Sequence, residues 1–100
     1  MLYNYQLSEE AEYDIYESYL WYEKQSQGLG EDFLESIEAA ERAIIQNPET
    51  YPICYKKIVR SFVVNRFPYL VLYILENKDI NVMAVFNTNQ HPRQWKKRIQ

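Results

Sequence analysis

From Tyr3 to Leu7 the chain alternates aromatic or apolar with polar residues, the period of a short β-strand. Ser8 follows with a hydroxyl suited to cap the free amides of a first helical turn. Glu9 and Glu10 then place carboxylates at the positive end of the helix dipole. Ala11, Ile15, Tyr19 and Tyr22 step by four, four and three, forming one apolar stripe of a helix that Gln27-Gly28 should close. A second helix is expected from about Gly30. Its inward stripe is Phe33, Ile37, Ala40 and Ile44, widened by Leu34, with Glu31, Glu35, Glu38 and Glu41 turned to solvent. Pro48 lacks an amide and disfavours helical geometry at Asn47, so this helix stops there. Two amphipathic helices with a short glycine-containing connection predict an antiparallel helical hairpin.

After Tyr51-Pro52 the period changes. Ile53 to Lys57 and Val59 to Asn65 read as strands joined by an ill-defined turn. Tyr69 to Leu75 is almost unbroken apolar sequence, as expected of a central strand covered on both faces. Asn77-Lys78-Asp79 is a tight turn, and Ile80, Val82, Ala84 and Phe86 alternate with Asn81, Met83 and Val85 along a returning strand. The end, His91 to Gln100, is basic, with Trp95 as its large apolar anchor. The expected fold is therefore α+β: an N-terminal strand, then an antiparallel helical hairpin packed on a small twisted antiparallel sheet, one domain over residues 1–100.

Composition narrows the classes. One hundred residues suffice for one compact domain, and only two glycines and four prolines leave little room for linker. No apolar run approaches the roughly 18 residues of a membrane span, and Met1-Leu2-Tyr3-Asn4-Tyr5 lacks the basic and apolar regions of a secretory signal. A cytoplasmic protein is expected. Cys54 has no second cysteine to pair with and no neighbours at metal-ligand spacing, so it reads as buried apolar filler. Neither a metal site nor a cofactor is expected, since there is no Gly-rich phosphate loop, nucleophile elbow or zinc spacing.

The net charge of −3 hides a segregation. Residues 1–50 hold twelve acids against Lys24 and Arg42, whereas residues 51–100 hold nine basic residues against Glu76 and Asp79. An asymmetry of this size suggests a face built to meet something anionic, against the plainer alternative that acidic helices offset a basic sheet.

Several local phrases, taken in order, resemble the RelE/ParE superfamily of plasmid-stabilisation toxins. They are Asp14-Ile15 through Trp21-Tyr22-Glu23, Gly28-Leu29-Gly30 with Phe33, Asn47-Pro48 and Tyr51-Pro52, Arg60, Phe67-Pro68-Tyr69, Leu72-Tyr73, and Ala84-Val85-Phe86 with Pro92 and Trp95. The resemblance spans nearly the whole chain. It implies the toxin of a type II toxin–antitoxin module that inhibits bacterial growth and is silenced by a cognate antitoxin lying across apolar surface and the basic half. Two activities come with it: RelE-like members cut messenger RNA in the ribosomal A site without a metal, and ParE-like members poison DNA gyrase. RelE-like nucleases resemble one another in an arginine after the tyrosine that opens the central strand, and this chain has Leu70 there. A second such arginine, often after a histidine, lies past the last strand, where this chain reads Asn87-Thr88-Asn89-Gln90.

The candidate residues are weighed against plainer roles. Arg60 offers a planar guanidinium for phosphate or carboxylate on an open sheet face, or a salt bridge from sheet to helix glutamate. His91 is the acid–base candidate by its ordinary pKa, although His-Pro also marks turns. Arg66 reads more as a solvated charge at a strand end. Tyr69 and Tyr73 share a strand face and could stack or donate, with core packing the default. Arg93, Lys96, Lys97 and Arg98 surround Trp95 and could meet a phosphate backbone, or form a solvated end. Arg60 and His91 are thus the catalytic candidates, and Arg60, Arg66, Arg93, Lys96, Lys97 and Arg98 the target-binding ones. The expected function is growth inhibition by binding, with DNA gyrase slightly preferred as target. The alternatives are a ribosome-dependent mRNA endoribonuclease and a degenerate, non-toxic antitoxin-binding protein. A homodimer is compatible with a spare apolar face.

Overall fold

The computed structural model describes residues 2–99. Strand β1 (Asn4–Leu7) leads into α1 (Glu9–Gln25) and α2 (Leu29–Gln46), followed by β2 (Ile53–Tyr55), β3 (Val59–Val63), β4 (Tyr69–Glu76) and β5 (Asp79–Asn87). A short helix α3 (Arg93–Lys96) and a single 3-10 turn over Lys97–Ile99 close the chain. The sheet order is β1-β5-β4-β3-β2. The four later strands pair antiparallel as the pattern predicts. β1 adds at the far edge in parallel with β5, which makes the sheet mixed. No tight turn joins β1 to β5, since the helical hairpin and three strands lie between them in the chain, so the reversal that a short turn forces is not imposed on this pair.

Local chemistry fixes the hairpin. The Ser8 hydroxyl accepts from the Ala11 amide at 3.0 Å and caps α1. At the α1–α2 turn Gly28 takes a φ of 89°, which its missing Cβ permits. The two oxygens of the Glu23 carboxylate accept from the Gly28 and Gly30 amides, each at 3.0 Å, so one side chain of α1 satisfies the start of α2. Gly30 is needed for a second reason: a Cβ there would lie 2.8 Å from the Tyr19 ring and from Glu23. The expected stripes Ala11, Ile15, Tyr19, Tyr22 and Phe33, Ile37, Ala40, Ile44 all belong to the core between hairpin and sheet. Tyr22, Phe33, Phe67 and Tyr69 form its aromatic centre, with ring centroids 4.9–6.2 Å apart.

Tyr69, Val71 and Tyr73 face this core, whereas Leu72 faces a second one on the other side of the sheet. Trp95 from α3 covers that second core, packing on Val59, Leu72, Ala84 and Phe86. The tail therefore closes part of the face that the sequence leaves open. The simple alternation expected for β5 does not hold. Ile80 and Val82 face the hairpin, but Ala84 and Phe86 face the tail, because the register slips between Val82 and Ala84 opposite Leu72 and Tyr73. A bulge at Met83 reverses the phase of every residue after it. Cys54 also departs from expectation: it is exposed on the three-residue edge strand β2, not buried.

Tyr73 is fully buried and donates from its hydroxyl to the Pro48 carbonyl at 2.6 Å, tying the central strand to the end of α2. Burial pushes its pKa up to about 12. Tyr73→Phe leaves that carbonyl without a partner inside the core. The expected cost is about 1–3 kcal/mol, read from chemical denaturation midpoints.

Candidate target-binding face

The bulge at Met83 is where the C-terminal tail is fastened. Its carbonyl accepts from Arg98 Nη1 at 2.9 Å. The same guanidinium donates from Nη1 to Asp14 Oδ2 at 2.8 Å and from Nη2 to Asp14 Oδ1 at 3.0 Å, a bidentate pair across 84 residues of sequence. Asp14 Oδ2 also accepts from the Val85 amide at 3.0 Å. Helix α1, the bulged strand and the tail thus meet at one half-buried clamp, and its hydrogen bonds hold the Arg98 pKa above its ordinary value. Arg98 is engaged inside the molecule, with Glu10 completing its ion pairs at 3.7 Å.

The clamp positions α3, and α3 presents cations. Trp95 meets Tyr55 of β2 edge-to-face at 5.2 Å, and Lys96 Nζ lies 4.9 Å from the Tyr55 ring centroid and 5.8 Å from that of Trp95. Lys56 Nζ lies 5.6 Å from the same Tyr55 ring. Lys56 and Lys57, in the short β2–β3 connection, have φ of 49° and 63°, so both sit in left-handed backbone. A shallow cleft is lined by Tyr55, His91, Pro92, Arg93, Lys96 and Lys97, with no carboxylate in its wall. Among the described residues, Lys56, Lys57, Arg93, Lys96 and Lys97 make no ion pair. Lys56, Arg93, Lys96 and Lys97, four uncompensated cations around an aromatic pair, can hold a phosphate backbone or an acidic protein surface.

The remaining candidates lie elsewhere. Arg60 is the cross-strand partner of Tyr73 and shares its hairpin-facing side, so it is not on the open face that the sequence reading assigns to it. Its Nη1 donates to the carbonyls of Glu49 at 3.0 Å and Tyr51 at 2.8 Å, holding the α2–β2 loop; the helix-glutamate salt bridge does not form. Arg66, in the β3–β4 turn with φ of 75°, pairs with Asp32 at 3.4 Å and lies over the Phe67 ring. His91 has a local partner that the sequence does not reveal. Its Nδ1 accepts from the Arg93 amide at 3.1 Å, which turns the imidazole into a cap for α3. Tyr69 donates to Ser18 Oγ at 3.0 Å and packs in the core, as its default reading has it. Arg93, Lys96 and Lys97 are the candidates brought together. Tyr55 and Lys56 are the members that the sequence does not reveal, since only the fold places the β2–β3 hairpin beside the tail.

Among the described residues no group of His, Cys, Asp or Glu side chains is arranged to hold a metal, and no helix is long and apolar enough to cross a membrane.

Comparison with known proteins supports one assignment. No curated protein matches the chain. A solved structure of the chromosomal ParDE TA system from P. aeruginosa contains a chain that superposes with a TM-score of 0.67 at 14% identity, covering 86% of this chain and 96% of that one. At that identity the likeness speaks for the fold, and it matches the strand, helical hairpin and sheet described above. The family of ParE toxins of type II toxin–antitoxin systems, parDE, matches residues 5–92, which takes in α1, α2 and the sheet from Tyr5 onward. The chain belongs to the ParE toxins of type II toxin–antitoxin systems.

Proposed function

We propose that residues 1–100 act as one unit in the cytoplasm of a bacterium, a toxin that arrests growth by binding an essential target and is neutralised by a cognate antitoxin. The observation that carries the reading is the cluster of four unpaired cations, Lys56, Arg93, Lys96 and Lys97, around Tyr55 and Trp95, next to which no acid–base pair is built among the described residues. His91 accepts a backbone hydrogen bond at the one nitrogen with a protein partner, and Arg60 is committed to two loop carbonyls. This favours inhibition by binding over metal-free RNA cleavage, which needs a base at the 2′-hydroxyl and a donor at the leaving oxygen. DNA gyrase, the target that the family resemblance implies, is the preferred one. The antitoxin, in this reading, masks the basic cleft.

The test is to induce the chain alone in a bacterial host and to map RNA ends and DNA breaks within minutes of arrest. Double-strand DNA breaks with intact messages are expected, and His91→Ala should weaken arrest only in part and leave that pattern as it is, since the imidazole lines the cleft without supplying its cations. In-frame cuts on translated messages, abolished by His91→Ala, would establish the nuclease instead. No arrest would mark a silent member of the family.

A further inference from the structure

Helix α1 is unusual in what it shows to solvent. Tyr13 is 62% exposed, Tyr16 58%, Leu20 41% and Trp21 58%, half of the exposed large apolar side chains of the described residues. At 3.6 residues per turn, positions 13, 16, 17, 20, 21 and 24 fall within an arc of about 140°, so the four side chains make one ridge. A solvent-facing helix surface ordinarily carries charged and polar residues, and contiguous exposed aromatics mark a protein contact. Grooves flank the ridge. One, of about 420 Å³, is lined by Leu7, Glu12, Ile15, Tyr16, Tyr19 and Leu34, a size that ligand-binding clefts share. Another lies among Glu17, Leu20, Trp21 and Lys24.

Charge says what would fit. Among the described residues Glu9, Glu12 and Glu17 border the ridge without an ion pair, and Lys24 is the one cation of α1. We propose that this ridge is a second docking surface, opposite in charge to the basic cleft, and that it takes a basic amphipathic helix of a protein partner. The helix lays apolar side chains into the two grooves, and its lysines or arginines meet Glu9, Glu12 and Glu17. The acidic border repels the phosphate backbone of a nucleic acid, so the partner at this face is a protein. The surface goes beyond the proposed toxin function and does not depend on it.

Trp21 is the exposed tryptophan and Trp95 is buried, so acrylamide quenching of fluorescence reports on the ridge. The probes are two amphipathic peptides of about 14 residues, one of leucine and lysine and one of leucine and glutamate. The leucine–lysine peptide should protect Trp21 and bind at least about tenfold tighter than its acidic counterpart. Tyr16→Ser with Leu20→Ser should abolish protection, and Glu9→Gln with Glu12→Gln and Glu17→Gln should weaken it about tenfold. Glu35→Gln with Glu38→Gln on α2 should change nothing. Equal binding of both peptides, binding lost on the α2 variant, or no protection of Trp21 would overturn the proposal. Protection that grows with protein concentration alone would overturn it in favour of a second copy of the chain.

Discussion

Trp95→Ala will lower the stability of the protein by about 3–5 kcal/mol, the range for emptying a large aromatic from a packed site. Trp95 is 5% exposed, although only five residues follow it in the sequence, and it covers Val59, Leu72, Ala84 and Phe86. Without it those four residues lose their cover, Tyr55 loses its edge-to-face partner, and Lys96 loses one of its two aromatic contacts. Equilibrium denaturation in urea gives the loss directly. A cost below about 1 kcal/mol would mean that the tail does not rest on the sheet as described.

Asp14→Ala is expected to cost about 2–4 kcal/mol, read by the same titration. The substitution removes both bonds to Arg98 and the acceptor of the Val85 amide, and it leaves a guanidinium only 20% exposed with its nearer partner gone. The remaining ion pair with Glu10 and the bond to the Met83 carbonyl keep the cost below that of a fully buried pair. Asp14→Asn retains an acceptor and should fall between wild type and alanine. The double variant Asp14→Ala, Trp95→Ala should cost less than the sum of the two, since each already releases the same tail. Strict additivity would show that clamp and anchor act on separate elements.

The hairpin was legible in the sequence because each of its rules is local. A serine cap, an apolar stripe at steps of three and four, a glycine pair and a proline stop all act within a few residues of where they stand. The four later strands were legible for the same reason, and Tyr69 to Leu75 lies at the centre of the sheet as its two-sided apolar sequence requires. Pairings between distant residues were not legible. Nothing near Met83 announces a bulge, whose stabilising partners, Asp14 and Arg98, lie at opposite ends of the chain. That one extra residue decides which of Val82, Ala84 and Phe86 faces which core.

The candidate site divides in the same way. The basic tail with its tryptophan was visible as composition, and Arg93, Lys96 and Lys97 do stand together. Arg98 looked identical to its neighbours in sequence, but the clamp takes it out of the cleft and makes it structural. The sequence does not give the face of Arg60, because a strand of unknown pairing has no inside or outside. Its register opposite Tyr73 settles the side. The residue type of Cys54 predicts burial, whereas a three-residue edge strand has little interior to offer.

The central claim is that the basic cleft between β2 and α3 is what arrests growth, and one comparison tests it most directly. The chain and its Lys96→Glu, Lys97→Glu variant are induced separately at matched expression, with circular dichroism confirming that both are folded. Neither lysine forms an ion pair among the described residues, so the reversal changes the cleft and leaves the clamp alone. Arrest by the wild type and free growth of the folded variant is the predicted result. Equal arrest by both would contradict the account and move the toxic surface elsewhere.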